Sequence, residues 1–338
     1  MKSRVTVIIP NYNGSRFLES LFNSLMAQTY TNFQTIFIDD GSSDDSVAIA
    51  KTYVGKLPTL EVREYENEGI AANWNRAFDL VETEYFTLLH CDDAYEPDYL
   101  TSMIELMDKY PTAAIGHCCV SIISEFDEVK FSVIDSYKEV NFFPTEVLAR
   151  SIVDEFNTLL RGSYINCPSV IYRSSLAKKV GKFSSELHQT LDWDYWFRVL
   201  IGGYHIVGLR QRLFRYRRHS SNASVINSKN LKRYSEELGT FTWAADQGLA
   251  KEKDISRGKA GLENIVLYEL VVSLSRNDIA LSEQKIEFLE SVLCAPEYKV
   301  RLLKCVQHIG QWGAKVILRL FQIYIRFWVI FAPAKKYL

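Results

Sequence analysis

The sequence lacks the motifs that mark several common classes of protein. It contains no Walker A sequence and no Gly-x-Gly-x-x-Gly, so neither of these phosphate-binding loops is indicated. Its six cysteines form no Cys-x-x-Cys pair and no zinc spacing, which favours free, buried thiols in a reducing compartment. The basic residues form no recognisable nucleic-acid-binding motif, and we expect no nucleic-acid partner.

The amino-terminal end also lacks a secretion signal. The apolar run Val5–Ile9 is too short for the core of a signal peptide and ends in polar residues, which predicts a cytosolic body. The chain has 338 residues, of which 47% are hydrophobic and 24% charged. This is the composition of a globular protein with one large domain or two smaller ones.

Acidic residues are absent from the carboxyl-terminal end of the chain. No Asp or Glu follows Glu297, whereas the last 41 residues contain eight Lys or Arg and therefore carry +8. The first 297 residues hold the other 31 basic residues against 41 acidic ones, a net charge of −10. The overall charge of −2 thus averages an acidic body and a basic tail, an asymmetry that usually indicates a charged partner.

Short apolar runs alternate with helical patterns near the amino terminus. The sequence predicts strands at 5–10, 35–38, 60–65 and 85–89, and helices at 15–28, 46–53 and 70–81. This alternation favours an α/β fold with a mostly parallel sheet flanked by helices. Polar clusters follow three of the strands, at the edge where such sheets bind ligands; they lie at 11–13, 39–44 and 92–93.

The pattern changes beyond about residue 113. Extended segments that would pack beside the sheet are predicted at 113–124, 128–134 and 169–172, and a helix is predicted at 192–200. Beyond about residue 228 the pattern is wholly helical, with helices predicted at 230–247, 261–276 and 282–293.

Paired carboxylates occur in the clusters at 39–44 and 92–93. Carboxylates in such loops hold a divalent cation or accept hydrogen bonds from sugar hydroxyls and base N–H groups. The alternative for a single cluster is a turn or a helix cap, where Asp, Gly and Ser are common. Two acidic clusters at the ends of buried strands favour a ligand site.

The order and spacing of these blocks resemble the family 2 glycosyltransferases, which are inverting enzymes with the GT-A fold. The blocks are VTVIIPNYN at 5–13, Gln28-Thr29-Tyr30 with IDDGSSD at 38–44, and Asn67-Glu68-Gly69 with Asn73, Asn75 and Ala77. The resemblance runs from residue 4 to about residue 224 and extends to bacterial surface-polysaccharide sugar transferases. It implies a Rossmann-like GT-A domain over 1–225. The helical pattern and the charge asymmetry, which lie outside the resemblance, predict a helical extension over 226–297 and a basic amphipathic, membrane-associating tail over 298–338.

The resemblance implies a nucleotide-sugar pocket and a divalent metal, Mn²⁺ or Mg²⁺. Asp40 would accept a hydrogen bond from the nucleotide base, and Asp92 would touch the ribose. The residues implied to bind the nucleotide-sugar are Pro10, Tyr12, Asn13, Asp39, Asp40, Asn67, Gly69, Asn73 and Asp92. Those implied to hold the metal are Asp92, Asp93 and His219.

His90 stands where the family often has the first Asp of an Asp-x-Asp-Asp motif. The departure leaves open how Asp92 and Asp93 divide the ribose and metal contacts. A histidine at the end of a strand can be a metal ligand, but it is more often only a hydrogen-bonding residue.

Asp192 aligns with the catalytic base of the family, in the segment LDWDYWFR at 191–198. Inverting transfer needs a positioned base that deprotonates the acceptor hydroxyl as it attacks the anomeric carbon. Because Asp192 begins a predicted helix, a helix cap is the alternative role. Asp194 cannot share the helix face of Asp192 and is expected to be structural or to bind the acceptor. Trp193 is assigned to the acceptor and Trp196 to the core.

A basic block, Arg215-Tyr216-Arg217-Arg218-His219 with Asn222 and Ser224, resembles the late Tyr-Arg-x-His block of the family. The resemblance places Arg217 and His219 near the diphosphate. Cationic and imidazole side chains in such a run suit a pyrophosphate. The alternative is a solvated basic loop.

The basic tail contains residues 312–331, a segment long enough to span a bilayer as a helix. Lys315, Arg319 and Arg326 fall with Gln322 on one stripe of such a helix, and the rest of its surface is aliphatic or aromatic. This pattern is typical of a helix in the membrane interface, because central Arg residues are costly in hydrocarbon. The alternatives are packing against the acidic body and an oligomer contact.

The sequence therefore predicts an inverting, metal-assisted transferase that moves a sugar from a nucleotide-sugar to a hydroxyl of a glycan or lipid-linked glycan. The basic tail predicts a peripheral position on the cytoplasmic, anionic face of a membrane. A catalytically inactive nucleotide-sugar-binding or scaffold protein at the membrane is the alternative. The presence of Asp92, Asp93 and Asp192 argues against it.

We expect the full-length chain to co-sediment with anionic lipid vesicles, because each cationic side chain near an anionic surface contributes about 1 kcal/mol to binding. Vesicles of zwitterionic lipid are the control and should retain much less protein. A chain that stays in the soluble fraction with both kinds of vesicle would contradict the membrane prediction and favour a partner-docking tail.

Overall fold

Alternating strands and helices build the amino-terminal part of the chain. The computed structural model describes residues 3–143, 145–222, 231–292, 311–317 and 319–320. The chain divides into two compact units, of which the first consists of Met1–Phe156 and Ser163–His219. The second consists of Asn157–Gly162 and Ser220–Leu338.

Nine strands of the first unit form one sheet. They are β1 (Val5–Asn11), β2 (Phe33–Asp40), β3 (Leu60–Tyr65), β4 (Tyr85–Leu88), β5 (Ala94–Tyr95), β6 (Ala113–Ser124), β7 (Val147–Leu148), β8 (Ile171–Arg173) and β9 (His205–Arg218). Their order is β3-β2-β1-β4-β8-β6-β9-β5, with β7 paired to β9. The first four strands pair in parallel, as do β6 and β9, whereas β5, β7 and β8 pair antiparallel with their neighbours.

Helices flank this sheet because each of them has an apolar face to bury. They are α1 (Leu18–Met26), α2 (Ser46–Thr52), α3 (Ile70–Leu80), α4 (Tyr99–Lys109), α5 (Val133–Phe142), α6 (Ile152–Leu160), α7 (Ser174–Val180) and α8 (Leu191–Ile201). In α1, for example, the buried residues recur at helical spacing; they are Leu18, Leu21, Phe22 and Leu25. All seven residues of β1 are buried, as expected for a central parallel strand covered on both faces. The predicted α/β fold is confirmed.

The structure has helices α4 to α7, which were not predicted from the sequence, and it differs from the prediction at two further segments of the sheet region. Strand β9 is 14 residues long and was not predicted, because its arginines interrupt the apolar pattern; it pairs with β6 along most of its length. The extended segment predicted at 128–134 is wrong over its last residues. Val129 makes one bridge to Ile123, but Ser132 then caps α5 by accepting a hydrogen bond from the backbone N–H of Asp135.

The described part of the second unit beyond residue 230 is helical, as predicted. Its helices are α9 (Lys232–Ala245), α10 (Glu252–Ser275) and α11 (Ile279–Glu287), followed by a π-helical turn at Phe288–Val292. Helix α10 begins nine residues before its predicted start, because the buried carboxylate of Asp254 in its first turn pairs with Arg161 at 2.9 Å. Buried Lys285 donates from Nζ to the backbone carbonyl of Glu269 and to Ser273 Oγ.

Parts of three predictions lie outside the described residues. These are the domain boundaries after residues 225 and 297, Ser224, and most of the basic tail. Within the tail, residues 311–317 and 319–320 are helical, and Trp312 is exposed. No helix among the described residues has both the length and the apolar character needed to cross a bilayer.

We expect Gly258→Ala in α10 to lower the free energy of unfolding of the second unit by about 1–3 kcal/mol or more, because an added methyl group overpacks the site. Its Cβ would lie 2.2 Å from the carbonyl oxygen of Leu160 and 2.5 Å from Cε2 of Phe241. Gly239→Ala in α9 is the matched control: it meets nothing within 4 Å, so it should be neutral or stabilise by up to about 1 kcal/mol. Equal unfolding midpoints in urea for both variants would contradict this packing.

Candidate functional site

The carboxyl ends of the parallel strands β1 to β4 meet at one edge of the sheet, and the loops that follow them contact one another. Two glycines permit this close approach. A Cβ on Gly14 would lie 2.4 Å from Asn11 Oδ1 and 2.7 Å from Cys91 Sγ. Gly41, whose φ is +73°, faces the backbone nitrogen of Asn67. The polar clusters of the sequence are therefore brought together, as the strand order requires.

Asp39, the first carboxylate after β2, ties the first two loops together. Its Oδ1 accepts from Asn11 Nδ2 at 2.7 Å and from Ser42 Oγ at 2.6 Å, and its Oδ2 accepts from the backbone N–H of Ser42 at 2.8 Å. Asn13, in the left-handed region at φ 52°, donates its backbone N–H to Ser42 Oγ and accepts the N–H of Ser43. The buried carboxylate of Asp39 thus holds the loops that carry Tyr12 and Asn13.

Asp40 is also buried and accepts hydrogen bonds from the start of α3. Its oxygens accept the backbone N–H groups of Glu68 and Gly69, and Oδ1 lies 2.6 Å from Arg76 Nη1. The Arg76 guanidinium stacks over the ring of Tyr65 at 4.3 Å. Arg76 was missed in the sequence, although it lies three residues after Asn73 and so shares its helix face.

The remaining residues predicted to bind the nucleotide-sugar divide into an exposed and a buried set. Tyr12 and Asn67 are exposed, and Gly69 caps α3 with φ 88°. Pro10 is buried in β1, and buried Asn73 lies close to the backbone carbonyls of Asn11 and Ile38. The exposed residues are the ones that can meet a ligand directly, whereas the buried ones fix the loops.

The loop after β4 carries the acidic motif, and the end of β9 approaches it. Asp92 Oδ2 and His219 Nε2 are 3.0 Å apart. Burial raises the pKa of Asp92, but the hydrogen bond from His219, together with the nearby imidazoles of His90 and His219, outweighs burial, so that the pKa of Asp92 is lowered. The ring of His219 packs against the ring of Phe17 at a centroid distance of 4.7 Å. Phe17 was not predicted to be part of the site. The structure therefore brings together two of the three predicted metal ligands.

Asp93, the third predicted ligand, is 1% exposed. Its Oδ1 accepts the backbone N–H of Arg217 at 2.7 Å, while its Oδ2 is buried without a hydrogen-bond partner. Burial and the adjacent charge of Asp92 raise the pKa of Asp93 well above its usual range. A buried oxygen that the protein leaves unpaired, beside a second carboxylate, fits a divalent cation.

Arg217 was predicted to contact the diphosphate, but its side chain is fully buried and its guanidinium contacts the protein itself. Its guanidinium donates to the backbone carbonyls of Asp92 and Ser124, at 2.6 and 3.0 Å, and to Ser20 Oγ and Asp127 Oδ1. These contacts make Arg217 a residue that holds the acidic loop against β6 and α1.

The other arginines of the late basic block are paired with carboxylates. Arg215 makes two hydrogen bonds to Glu96, at 2.7 and 2.8 Å, and Arg218 lies 2.8 Å from Asp135. The solvated basic loop considered for this block is not what the structure shows, since these residues end strand β9. Within the block, the side chain of His219 contacts the carboxylate of Asp92, whereas that of Arg217 contacts the backbone carbonyl of Asp92.

Asp192 begins the first turn of α8, where its Oδ1 accepts the backbone N–H of Trp193 at 2.7 Å. Burial raises the pKa of the Cys167 thiol, and the charges of Asp192 and Asp93 raise it further.

The two residues predicted to contact the acceptor help to fix α8. Trp193 is 3% exposed and packs on Phe197, so it lies in the core together with Trp196. Asp194 accepts from Arg198 Nε at 2.8 Å, and that arginine also donates to two backbone carbonyls. Of the two roles expected for Asp194, these contacts favour the structural one.

Comparison with known proteins points to a glycosyltransferase family. The family described as Glycosyl transferase family 2 matches residues 6–161, which include the loops after β1 to β4. Over these residues the chain is similar to this family. It is 30% identical over 197 residues to an uncharacterized glycosyltransferase of Rickettsia typhi, an alignment that covers 58% of each chain. It is 26% identical over 312 residues to one of Rickettsia prowazekii, covering 88% of this chain and 91% of the relative.

Solved structures confirm the GT-A fold of the chain. Residues 1–349 of Staphylococcus aureus TarS, in complex with UDP-GlcNAc, match with a TM-score of 0.59 at 18% identity, over 95% of this chain and 92% of that TarS fragment. The mannosyltransferase PcManGT from Pyrobaculum calidifontis, in complex with GDP-Man and Mn²⁺, matches with a TM-score of 0.56 at 14% identity. That match covers 98% of this chain and 88% of the mannosyltransferase.

We expect Arg217→Met to destabilise this glycosyltransferase domain by about 3–5 kcal/mol, because removing one partner leaves buried polar groups unpaired. Arg212→Met is the matched control on the same strand: Arg212 is 56% exposed and pairs with Glu139, so its loss should cost less than about 1 kcal/mol. Urea unfolding of both variants measures the difference. Similar losses for the two would show that Arg217 does not hold the acidic loop.

Proposed function

We propose that this protein is an inverting glycosyltransferase that moves a sugar from a nucleotide-sugar to a hydroxyl of a glycan or lipid-linked glycan. The observation that carries the proposal is the meeting of Asp92, Asp93 and His219 at the edge of the sheet. Such a site needs one group for the departing diphosphate and one base for the incoming hydroxyl.

The donor would bind over the loops that Asp39 and Asp40 hold. Tyr12, Asn13 and Asn67 are exposed among the predicted contacts, and Asn13 also joins the first two loops. Loops fixed by buried hydrogen bonds lose little entropy when a ligand binds. Nucleotide-sugars are present in the TarS and PcManGT structures, which supports this class of donor.

A divalent cation, Mn²⁺ or Mg²⁺, would be held by Asp92, Asp93 and His219. When bound there, it would neutralise the charge that develops on the departing diphosphate. The backbone N–H of Arg217 fixes Oδ1 of Asp93, so that Oδ2 of Asp93 would remain available to the cation. The Mn²⁺ in the PcManGT structure supports a metal in this fold.

Asp192 is the proposed general base. It is half-buried at the start of α8, and the backbone N–H of Trp193 holds one of its oxygens in place. A hydrogen bond of this kind stabilises the ionised carboxylate, which is the form that takes a proton from the acceptor hydroxyl. The attacking oxygen then forms the new glycosidic bond, and the old bond to the nucleoside diphosphate breaks with inversion at the anomeric carbon.

The cytoplasmic face of an anionic membrane is the proposed location, and its support is the +8 charge of the last 41 residues. A lipid-linked acceptor would then be presented at the same surface as the enzyme. The relatives do not decide this point, since their names state no acceptor.

We expect Asp192→Asn to abolish sugar transfer while nucleotide-sugar binding persists, because the amide cannot accept the proton from the acceptor. The loss should be at least about a hundredfold. The measurement is the release of nucleoside diphosphate from a panel of nucleotide-sugars, with a lipid-linked glycan extract as acceptor. Binding is followed in parallel by thermal shift, with and without Mn²⁺.

Asp79→Asn is the matched control, because Asp79 is an exposed carboxylate on α3 whose partner is Lys182. It should transfer sugar at the wild-type rate. Full turnover by Asp192→Asn would overturn the assignment of the base. If adding the acceptor does not increase the release of nucleoside diphosphate by the wild type, an inactive nucleotide-sugar-binding protein is favoured instead.

A further inference from the structure

The ring of His90 belongs to the acidic cluster. Among the described residues, His90, Asp92 and Asp93 each offer a ligand atom, and these atoms all lie within 4.8 Å of one another. Two buried atoms of the cluster, His90 Nε2 and Asp93 Oδ2, have no hydrogen-bond partner. Buried polar atoms in folded proteins are almost always paired. Two unpaired atoms in one cluster therefore indicate a ligand that is not part of the chain.

Packing fixes the plane of the His90 ring. Trp74 on α3 stacks on it with a centroid distance of 4.9 Å and an interplanar angle of 28°, and the edge of Trp74 meets Phe183 at 5.3 Å. The next residue, Asn75, holds the backbone of Phe183 with hydrogen bonds of 2.9 and 2.8 Å. A metal ligand is effective when its neighbours hold it in one orientation, and His90 meets this condition.

We propose that His90 is a protein ligand of the divalent cation and that its imidazole makes the site prefer Mn²⁺ to Mg²⁺. The inference rests on the proposed function and specifies which cation the donor site takes. Magnesium is a hard ion that prefers oxygen ligands, whereas imidazole nitrogen suits first-row transition metals better. Replacing the usual carboxylate by a neutral ring also removes one negative charge from the site, which weakens its attraction for any hard cation.

The sequence favoured a mere hydrogen-bonding role for His90, and the surroundings argue against it. A histidine kept for hydrogen bonding would place its buried nitrogen against a donor or an acceptor, but Nε2 faces neither. The first carboxylate position of the family motif is thus occupied by a group with different metal chemistry.

The test measures the affinities of the full chain for Mn²⁺ and Mg²⁺, after chelation and dialysis, without a nucleotide and with UDP or GDP. The loss of the free Mn²⁺ signal in electron paramagnetic resonance reports binding, and Mg²⁺ is added as competitor. His90→Asp should lower the preference for Mn²⁺ over Mg²⁺ about tenfold or more, because it restores a carboxylate. His90→Gln should weaken Mn²⁺ binding about tenfold without a gain for Mg²⁺.

His205→Gln is the matched control, since His205 lies at the other end of β9 from the site and should leave both affinities unchanged. Melting curves without metal establish that the variants are folded. If His90→Asp does not fold, His90→Gln alone provides the test. An unchanged Mn²⁺ to Mg²⁺ preference in the folded variants would overturn the role of His90. Such a result, together with sugar transfer by the wild type, would leave the proposed function intact. Absence of Mn²⁺ binding to the wild type in all three conditions would overturn the inference as well.

Discussion

The buried guanidinium of Arg217 is the interaction on which the acidic site depends. A charge that is fully removed from water must be paired, and this one is satisfied by Asp127 and by carbonyls of the loop after β4 and the end of β6. The pairing places β9 beside a loop that precedes it by 124 residues. Once β9 is fixed, its backbone holds Asp93 and its end carries His219 to Asp92.

The carboxylates of the site fall into two classes by what their oxygens do. The oxygens of Asp39 and Asp40 accept hydrogen bonds from backbone N–H groups, a hydroxyl and a guanidinium, and these bonds fix the loops after β2 and β3. Asp93 is also buried, yet one of its oxygens has no partner in the chain. Since an unpaired buried oxygen is costly, the chain would gain stability from the cation proposed at that position. Cation binding and stability would then be linked at this one residue.

The local sequence pattern was sufficient to predict the strands and helices of the first ninety residues. Strand β3 was predicted with its observed bounds and α2 within one residue, because apolar period and turn residues agree there. Strand β9 could not be found in this way, since its exterior arginines are neutralised by carboxylates on other elements, such as Glu96 and Glu139. A single segment does not show which distant residue pairs with its charges.

The sequence by itself determined the class of fold and the edge at which the polar clusters meet, because strand and helix periodicities and the ends of strands are local properties. It also supplied the acidic motif and Asp192. Only the tertiary structure decided that Arg217 is buried, that Asp40 is paired with Arg76, and that His90 stands beside Asp92 and Asp93. Each of these depends on which side chains from distant segments share one desolvated space, and such pairings exist only in the folded chain.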